Sequence, residues 1–236
     1  MNALGNLPLP DRSLAVYVDD TGHEALVKGH PVYGLGGCAA MGRDLNRLIW
    51  QPWRDIRKRV TGSPDKPLHA NRFPMLVKGP EDMEAVARFF RDQPFPRFGA
   101  IISINTKLTD GMGAVRTIKE VLQAQITKII QPILCREVKV IFESSGRADR
   151  LIEEAFQDLE LRRGRKRIPS ECHFMPKAAA DPAMEVADFV MHAVGRQARQ
   201  NLKDRTTLLP DFGAVFHPVD PRLVSFCEIE SVTRIN

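Results

Sequence analysis

Short apolar runs alternate with stretches of helical periodicity along this chain. Residues 14–18, 98–104 and 137–142 are largely apolar and rich in β-branched side chains, a pattern that is typical of strands. The second and third of these runs resemble strands that are covered on both faces. Two shorter runs, 32–37 and 173–175, are further strand candidates.

Apolar residues at helical spacing predict five helices, at residues 43–60, 80–92, 114–130, 147–161 and 181–202. The proline and two acidic residues at the start of the second stretch suit a first helical turn. The order of elements is mixed at first, and strand and helix then alternate, which favours an α/β layer structure. We therefore expect one α/β domain over residues 1–236, with a loose, proline-rich tail at residues 1–12.

Composition is that of an ordinary globular protein, with 43% hydrophobic and 27% charged residues, and it excludes the fibrous and disordered classes. No apolar run approaches the ~20 residues that span a bilayer. The N-terminus also lacks the pattern of a signal peptide, so we expect a cytoplasmic protein with no membrane partner. The four cysteines form no C-x-x-C pair, which predicts reduced, buried side chains. The net charge of +5 permits a polyanionic partner.

Acidic residues follow two of the predicted strands. Asp19 and Asp20 come directly after the first apolar run, and Glu143 follows the third. Strand ends are where α/β sheets place their chemistry. A third acid, Asp188, interrupts an apolar helical stretch and shares a helix face with Glu185. These three distant segments would converge if the two strands are neighbours and the last helix packs across them.

Each acid also has an ordinary structural interpretation. Asp19 and Asp20 could cap a turn through hydrogen bonds to backbone amides. Glu143 could pair with Arg147, four residues further along the chain. A solvated helix face held by ion pairs would explain the row Glu185, Asp188, His192 and Arg196. The conjunction of the three segments favours a shared site.

A converged set of carboxylates supplies the oxygen ligands that Mg²⁺ and Mn²⁺ prefer. Two such ions ~4 Å apart activate a water and stabilise the leaving oxygen of a phosphodiester without any protein nucleophile. The residues therefore predict Mg²⁺ or Mn²⁺ as cofactor and hydrolysis of nucleic acid as the reaction. Asp19, Glu143 and Asp188 are the candidate catalytic metal ligands, and Asp20 and Glu185 are further candidates.

Four short motifs occur in a defined order: Tyr-Val-Asp-Asp-Thr-Gly at 17–22, Leu-His-Ala at 68–70, Phe-Glu-Ser-Ser-Gly-Arg-Ala-Asp at 142–149 and Ala-Asp-Phe-Val at 187–190. Together they resemble an uncharacterised domain family of prokaryotes whose first motif reads Asp-Glu-Ser-Gly. That family is similar to the ribonuclease-H-like superfamily. The resemblance implies a ribonuclease-H-like mixed sheet flanked by helices, with a two-metal site held by carboxylates.

The resemblance also implies roles for single residues. It makes His69 a candidate catalytic group that orients water or binds metal, and Asp149 a further metal ligand. A lone histidine is more often a structural residue, and that interpretation of His69 stays open. The chain departs from the family at two places. Asp20 stands where the family usually has glutamate, and this shorter acid reaches less far. Ser145 stands where a basic residue is common, which removes a cation that could contact phosphate.

Five basic residues occur in a run of six between the fourth predicted helix and the last strand. Like charges repel one another, so one interpretation of the run is a solvated loop. The other interpretation is contact with the phosphates of a nucleic acid. The residues concerned are Arg162, Arg163, Arg165, Lys166 and Arg167.

Two other functions stay open. A nucleic-acid or protein binding module could keep the fold without turnover. A phosphotransferase of the actin-like fold could use the first acidic turn, although the chain is short for that two-domain architecture. Residues 34–39 fit the loose pattern G-x-G-x-x-A, but no full strand precedes them and no helix follows directly, so a dinucleotide site is not predicted.

Overall fold

The computed structural model describes residues 9–104, 111–217 and 220–229. Most of the predicted N-terminal tail, residues 1–8, lies outside these ranges. The strands are β1 (Ser13–Gly22), β2 (Val32–Met41), β3 (Arg97–Ser103), β4 (Glu137–Ser144), β5 (Leu161–Arg163), β6 (Lys166–Ile168), β7 (Ser170–Pro176) and β8 (Val224–Ile229).

A helix forms in each of the five stretches predicted from periodicity, but the one predicted to reach residue 161 ends at Phe156, and residue 161 begins β5. The helices are α1 (Gly42–Leu45), α2 (Gln51–Thr61), α3 (Phe73–Leu76), α4 (Pro80–Asp92), α5 (Gly111–Ile130), α6 (Asp149–Phe156), α7 (Pro182–Asn201) and α8 (Pro210–Phe216). A π-helical turn, Asn46–Trp50, joins α1 to α2, so the predicted helix at 43–60 is one helical segment with a local widening.

Six of the strands form one mixed sheet in the order β7-β4-β1-β2-β3-β8, and β5 pairs with β6 in a separate hairpin. β1 is antiparallel to β2 and parallel to β4, which is in turn parallel to β7. The last residues of β1, β4 and β7 therefore lie together, at what we call the carboxyl end of the sheet. The predicted α/β class is confirmed as a six-stranded mixed sheet flanked by helices.

Helices cover both faces of the sheet. α7 packs on β1, β2 and β3 from one side, and α5 packs from the other side together with α6. Ala15 and Tyr17 belong to the core under α7, whereas Val16 and Val18 belong to the core under α5. Because successive side chains of a strand point to opposite faces, this alternation places Asp19 on the α7 face.

β1 is longer than the apolar pattern predicts. It continues to Gly22 instead of ending at residue 18, because residues 14–22 all pair with the equally long β2. Asp19 and Asp20 therefore lie within a strand and not in a turn. Their side chains project to opposite faces of the sheet.

Three elements in the second half of the chain were not predicted: the β5–β6 hairpin, α8 and β8. The hairpin replaces the expected basic loop and turns at Gly164, whose φ is +58°. Its strands carry no apolar alternation, which is why the pattern does not indicate them. Leu161 and Ile168, at its two ends, are buried in the core under α5 and hold it in place.

The described ranges contain no helix that is long and apolar enough to span a membrane. All four cysteines are free. Cys38 and Cys135 are buried as predicted, whereas Cys172 and Cys227 are only partly buried.

Candidate carboxylate site

Asp19 lies near the carboxyl end of the central strand β1, with 7% of its surface exposed. Its Oδ1 accepts a hydrogen bond from the amide of Asp20 at 2.8 Å. Burial raises the pKa of Asp19 well above its ordinary value, and the negative charges of Asp188, Glu143 and Asp20 raise it further. Asp19 is therefore close to acids from two other segments of the chain.

Glu143 reaches the same place from β4. Val18 of β1 pairs with Phe142, so the two acids follow paired residues on neighbouring parallel strands. Ile141, two residues before Glu143, belongs to the core under α7, and Glu143 therefore projects to the α7 face like Asp19. Its Oε2 accepts a hydrogen bond from Nζ of Lys177 at 2.9 Å.

Lys177 is the cation of this cluster. It directly follows β7, and its side chain is 58% exposed. Burial lowers the pKa of its ammonium, but the hydrogen bond to Glu143 and the charges of Glu143, Asp19 and Asp188 outweigh that effect and raise the pKa. Lys177 is therefore positively charged at neutral pH.

Asp188 brings the third carboxylate from α7. Its Oδ2 accepts a hydrogen bond from the amide of Ala70 at 3.0 Å and lies 3.9 Å from Nδ1 of His69. These contacts tie the loop at residues 68–71 to α7 and bring His69 to the site. Asp19, Glu143, Asp188 and His69, predicted as one catalytic set, thus lie together on the α7 face. We call the three acids with Lys177 the carboxylate site.

Glycine residues let α7 approach the sheet closely enough for this arrangement. Asp19 pairs across the sheet with Gly36, and Gly36 pairs with Gly99. A Cβ atom on Gly36 would lie 2.7 Å from Sδ of Met191, and one on Gly99 would lie 3.1 Å from the side chain of Val194. The glycine-rich segment of β2 therefore has a packing role.

A cavity of about 450 Å³ opens beside Asp188 and Lys177 of the carboxylate site. Burial lowers the pKa of His192 in its wall, although the charge of Asp188 opposes that effect, so this imidazole is neutral at neutral pH. Acidic and basic side chains meet around the cavity, which suits a charged ligand. Its lining includes His69, Asn71, Arg72, Lys177, Asp188 and His192.

Asp20 borders the cavity, but its carboxylate belongs to a separate ion-pair cluster. It lies 2.9 Å from the guanidinium of Arg147, which is also 3.4 Å from Glu24. Burial raises the pKa of Asp20, and the charge of Arg147 lowers it. Arg147 therefore compensates Asp20 and Glu24, and the alternative pair with Glu143 is not formed.

Asp149 stabilises the turn between β4 and α6. Its carboxylate accepts hydrogen bonds from the hydroxyl of Ser144 at 2.6 Å and from the amide of Ser145 at 2.9 Å. Burial raises the pKa of Asp149, but these hydrogen bonds outweigh it and the pKa is lowered overall. The carboxylate of Asp149, which the resemblance implies is a metal ligand, is thus occupied by hydrogen bonds within its own turn.

Glu185 is held in the core between α2 and α7. Its side chain and that of Arg57 are 6% and 4% exposed, with 2.7 Å between Oε1 and Nη2. Oε2 accepts hydrogen bonds from Nε1 of Trp53 at 2.8 Å and from the amide of Leu68 at 3.1 Å. Since both oxygens are occupied, the structure does not bring Glu185 into the carboxylate site.

The basic run lies at the opposite end of the sheet, in the β5–β6 hairpin. Pro169, just after the hairpin, accepts a hydrogen bond from the amide of Val138 at the start of β4. At ~3.3 Å per residue, the five residues from Val138 to Glu143 separate this point from Glu143 by roughly 17 Å. The structure therefore does not bring the acids together with Arg162, Arg163, Arg165, Lys166 and Arg167.

Three contacts already engage part of this run. Arg162 and Arg167 both lie near Glu160, at 2.7 and 4.0 Å. The guanidinium of Arg163 donates a hydrogen bond to the carbonyl of Ile133 at 2.7 Å. Arg165 and Lys166 are exposed and stand at the tip of the hairpin.

The donor set of the carboxylate site fits a hard divalent cation. Asp19, Glu143 and Asp188 offer only carboxylate oxygens, and a cation would relieve the repulsion that adds to the effect of burial on the pKa of Asp19. Within the described ranges, however, no three His, Cys, Asp or Glu side chains are already grouped so as to hold a metal ion. Lys177 has taken one oxygen of Glu143, so a cation would have to share that carboxylate with it.

Lys177 and Arg72 are the charged residues of the site that the sequence pattern did not single out. The one signal for Lys177 is its position just after a predicted strand, where the chemistry of a parallel sheet is placed. Arg72 follows His69 by three residues in a loop and has no signal of its own. No protein-family model matches this chain, and no match was found among curated proteins.

Proposed function

We propose that this protein is a metal-dependent nuclease that cleaves phosphodiester bonds of nucleic acid at the carboxylate site. The observation that carries the proposal is the meeting of Asp19, Glu143 and Asp188 from β1, β4 and α7. Burial raises the pKa of Asp19, and the negative charges of Asp188 and Glu143 raise it further. A structural core rarely places three acids together with a single basic partner, whereas a cation-dependent active site requires such a cluster.

The architecture supports a ribonuclease-H-like assignment. A mixed sheet flanked by helices, with acids at the ends of two neighbouring parallel strands, is what the sequence resemblance implies. Asp188, on helix α7 that packs across the sheet, is the third acid of the site. The fold by itself is compatible with several activities, so the proposal rests on the acids.

Each residue of the site has a separate role in the proposed reaction. Asp19, Glu143 and Asp188 supply oxygen ligands to Mg²⁺ or Mn²⁺, a cofactor that would lower the pKa of a bound water and neutralise charge on the phosphate. His69, beside Asp188, orients the attacking water. Lys177 places positive charge next to the position of the phosphate.

Nucleic acid is the proposed partner at two places. Arg72 and Lys177 line the cavity and offer positive charge to the phosphate that reacts. The hairpin, roughly 17 Å away along β4, can bind phosphates of the same polymer several nucleotides from the cleavage point. A substrate long enough to reach both places is therefore bound more tightly than a short one.

Substitution of the ligands tests the proposal. Asp19→Asn and Asp188→Asn should each reduce cleavage of single-stranded, duplex or hybrid oligonucleotides in Mg²⁺ or Mn²⁺ by at least about 100-fold, because each removes a metal-binding charge. The matched control is Asp65→Asn, at a side chain that is 77% exposed. Wild-type cleavage that persists in both site variants would contradict the proposal.

A binding module without turnover is the second candidate. The observation in its favour is the ion pair between Lys177 and Glu143, which already compensates one of the three acids. Such a module would bind oligonucleotides equally well in EDTA and in Mg²⁺, and would release no product. Calorimetry with Mn²⁺ separates the two candidates, since a nuclease site takes up the ion and a scaffold does not.

A further inference from the structure

A second cavity, of about 310 Å³, lies beside the one at the carboxylate site. The two share a wall, because His192 borders both and the loop at residues 69–73 contributes to each. His69 lines the first cavity, whereas Ala70 and Phe73 line the second. A ligand of moderate length can therefore contact both cavities.

Aromatic side chains from three helices contribute to the wall of the second cavity, which we call the apolar cavity. They are Phe73 of α3, Phe90 of α4 and Phe189 of α7. The rings of Phe73 and Phe189 lie 5.3 Å apart. Met83, which also lines the cavity, is 49% exposed although its side chain is apolar. Such a wall suits a flat, apolar ring and not a phosphate group.

One polar side chain in the wall of the apolar cavity lacks a hydrogen-bond donor. Oδ2 of Asp211 lies 2.8 Å from Nη1 of Arg196. Among the residues that the structure describes, none donates a hydrogen bond to the buried Oδ1 of Asp211. Buried carboxylate oxygens are usually hydrogen-bonded, so an N–H group of a bound ligand would be a suitable partner.

Helix α7 sets the distance between the two cavities. Asp188 at the carboxylate site, His192 between the cavities and Arg196 beside the apolar cavity follow one another at four-residue spacing. At 1.5 Å per residue, each step is about 6 Å along the helix. A ligand that fills both cavities therefore joins an anionic group to a flat ring through a short link. A nucleotide has this composition, and the edge of its base carries N–H groups.

We propose that the apolar cavity binds an unpaired base of the nucleic acid, next to the phosphate that reacts. This inference rests on the proposed function, and it makes single-stranded nucleic acid the substrate class. A base within a duplex is stacked on its neighbours and hydrogen-bonded to its complement, so it would have to leave the stack to enter the cavity. A single strand offers its bases without most of that cost.

A substitution that fills the apolar cavity tests the inference. Ala87 of α4 lines the cavity and is partly exposed, so Ala87→Phe should occupy the cavity without removing a core side chain. The matched control is Ala85→Phe, at a partly exposed alanine of the same helix that lies outside the cavity lining. Thermal melting verifies that each variant is folded.

Fluorescence anisotropy measures binding to the full chain in EDTA, which prevents metal-dependent cleavage. The probes are a short labelled DNA strand, its blunt duplex and the same sugar–phosphate backbone without bases. The wild type should bind the strand about 10-fold more tightly than the base-free backbone, as expected when one base is bound by aromatic side chains. Ala87→Phe should lose that preference and bind the duplex as the wild type does, whereas Ala85→Phe should match the wild type with all three probes.

The outcomes separate the inference from the proposed function. Equal affinity of the wild type for the strand and the base-free backbone would overturn the inference, as would a folded Ala87→Phe variant that keeps the preference. A preference that Ala87→Phe abolishes, in a protein that cleaves nothing in Mg²⁺ or Mn²⁺, would support the inference and overturn the nuclease. A wild-type dimer in sedimentation that Ala87→Phe dissociates, and Ala85→Phe does not, would assign the cavity to a second copy of the chain and overturn the inference.

Discussion

Asp19 is a carboxylate whose charged neighbours from β4 and α7 are themselves acids. Asp20, the next residue, has Arg147 at 2.9 Å. The difference arises because successive side chains of β1 face opposite sides of the sheet, one toward α7 and the other away from it. Two adjacent and chemically identical residues therefore acquire different roles, Asp19 in the proposed catalytic set and Asp20 in an ion pair.

The raised pKa of Asp19 predicts a pH-dependent stability difference in Asp19→Asn. In the folded protein Asp19 releases its proton at a higher pH than in the unfolded chain, where the value is about 3.9. The unfolding free energy of the wild type should therefore fall, relative to Asp19→Asn, as pH rises from about 4 to the folded-state pKa. Each unit of the shift corresponds to about 1.4 kcal/mol.

Urea denaturation in EDTA at a series of pH values measures this difference. The amide keeps an oxygen that can accept the hydrogen bond from Asp20, so the comparison isolates the charge. Asp65→Asn reports the effect of removing an exposed acid. A stability difference that stays constant from pH 4 to pH 9 would show that Asp19 has an ordinary pKa.

Helices α2 and α7 are joined by a buried polar contact. Glu185 of α7 binds Arg57 and Trp53 of α2, and it also accepts the amide of Leu68, just before the loop that carries His69. This contact connects the packing of the two helices to the position of the site. Asp188, three residues further along α7, holds the next part of the same loop.

Glu185→Ala should destabilise the protein by about 3–5 kcal/mol, because it leaves the guanidinium of Arg57 buried without its partner. Chemical denaturation gives the change in unfolding free energy. The control is Arg54→Ala, which breaks an exposed pair with Asp65 and should cost at most about 1 kcal/mol. If both variants lose the same small amount, the buried pair does not hold α2 to α7.

At the scale of the whole molecule, the carboxylate site and the basic hairpin lie at opposite ends of the sheet. The carboxylate site lies at the carboxyl end of β1 and β4, and the hairpin lies near the start of β4. Under the proposed function, long-range attraction of a polyanion and local chemistry on a phosphate would thus take place in different regions. This separation makes the two contributions measurable independently.

The triple variant Arg165→Ala, Lys166→Ala and Arg167→Ala should weaken binding of long nucleic acid and reduce its dependence on salt. Each lost phosphate contact should lower the slope of log affinity against log salt by about 0.7–0.9. Cleavage of an oligonucleotide too short to reach the hairpin should keep the wild-type rate. An unchanged salt slope would mean that the hairpin does not contact the substrate.

The sequence by itself determined the α/β class, the central strands and the acids at their ends, because strand and helix periodicity and strand-end acids are local features. It also indicated Asp188 as a polar interruption of an apolar helix. It could not assign roles among the acids. Asp149 and Glu185 have the same chemistry as the acids of the site, and only their hydrogen-bond donors, Ser144 and Arg57, assign them to structural roles.

Only the tertiary structure decided which charges meet. β1 includes Asp19 and Asp20 because β2 pairs with it as far as Gly22. As strand residues, Asp19 and Asp20 project to opposite faces of the sheet. The glycines of β2 allow α7 to pack closely on the sheet, so that Asp188 lies near it. Lys177, which directly follows β7, lies within hydrogen-bond distance of Glu143. Electrostatic interactions depend on distance through space, which strand pairing and helix packing set, and local sequence patterns carry no information about that distance.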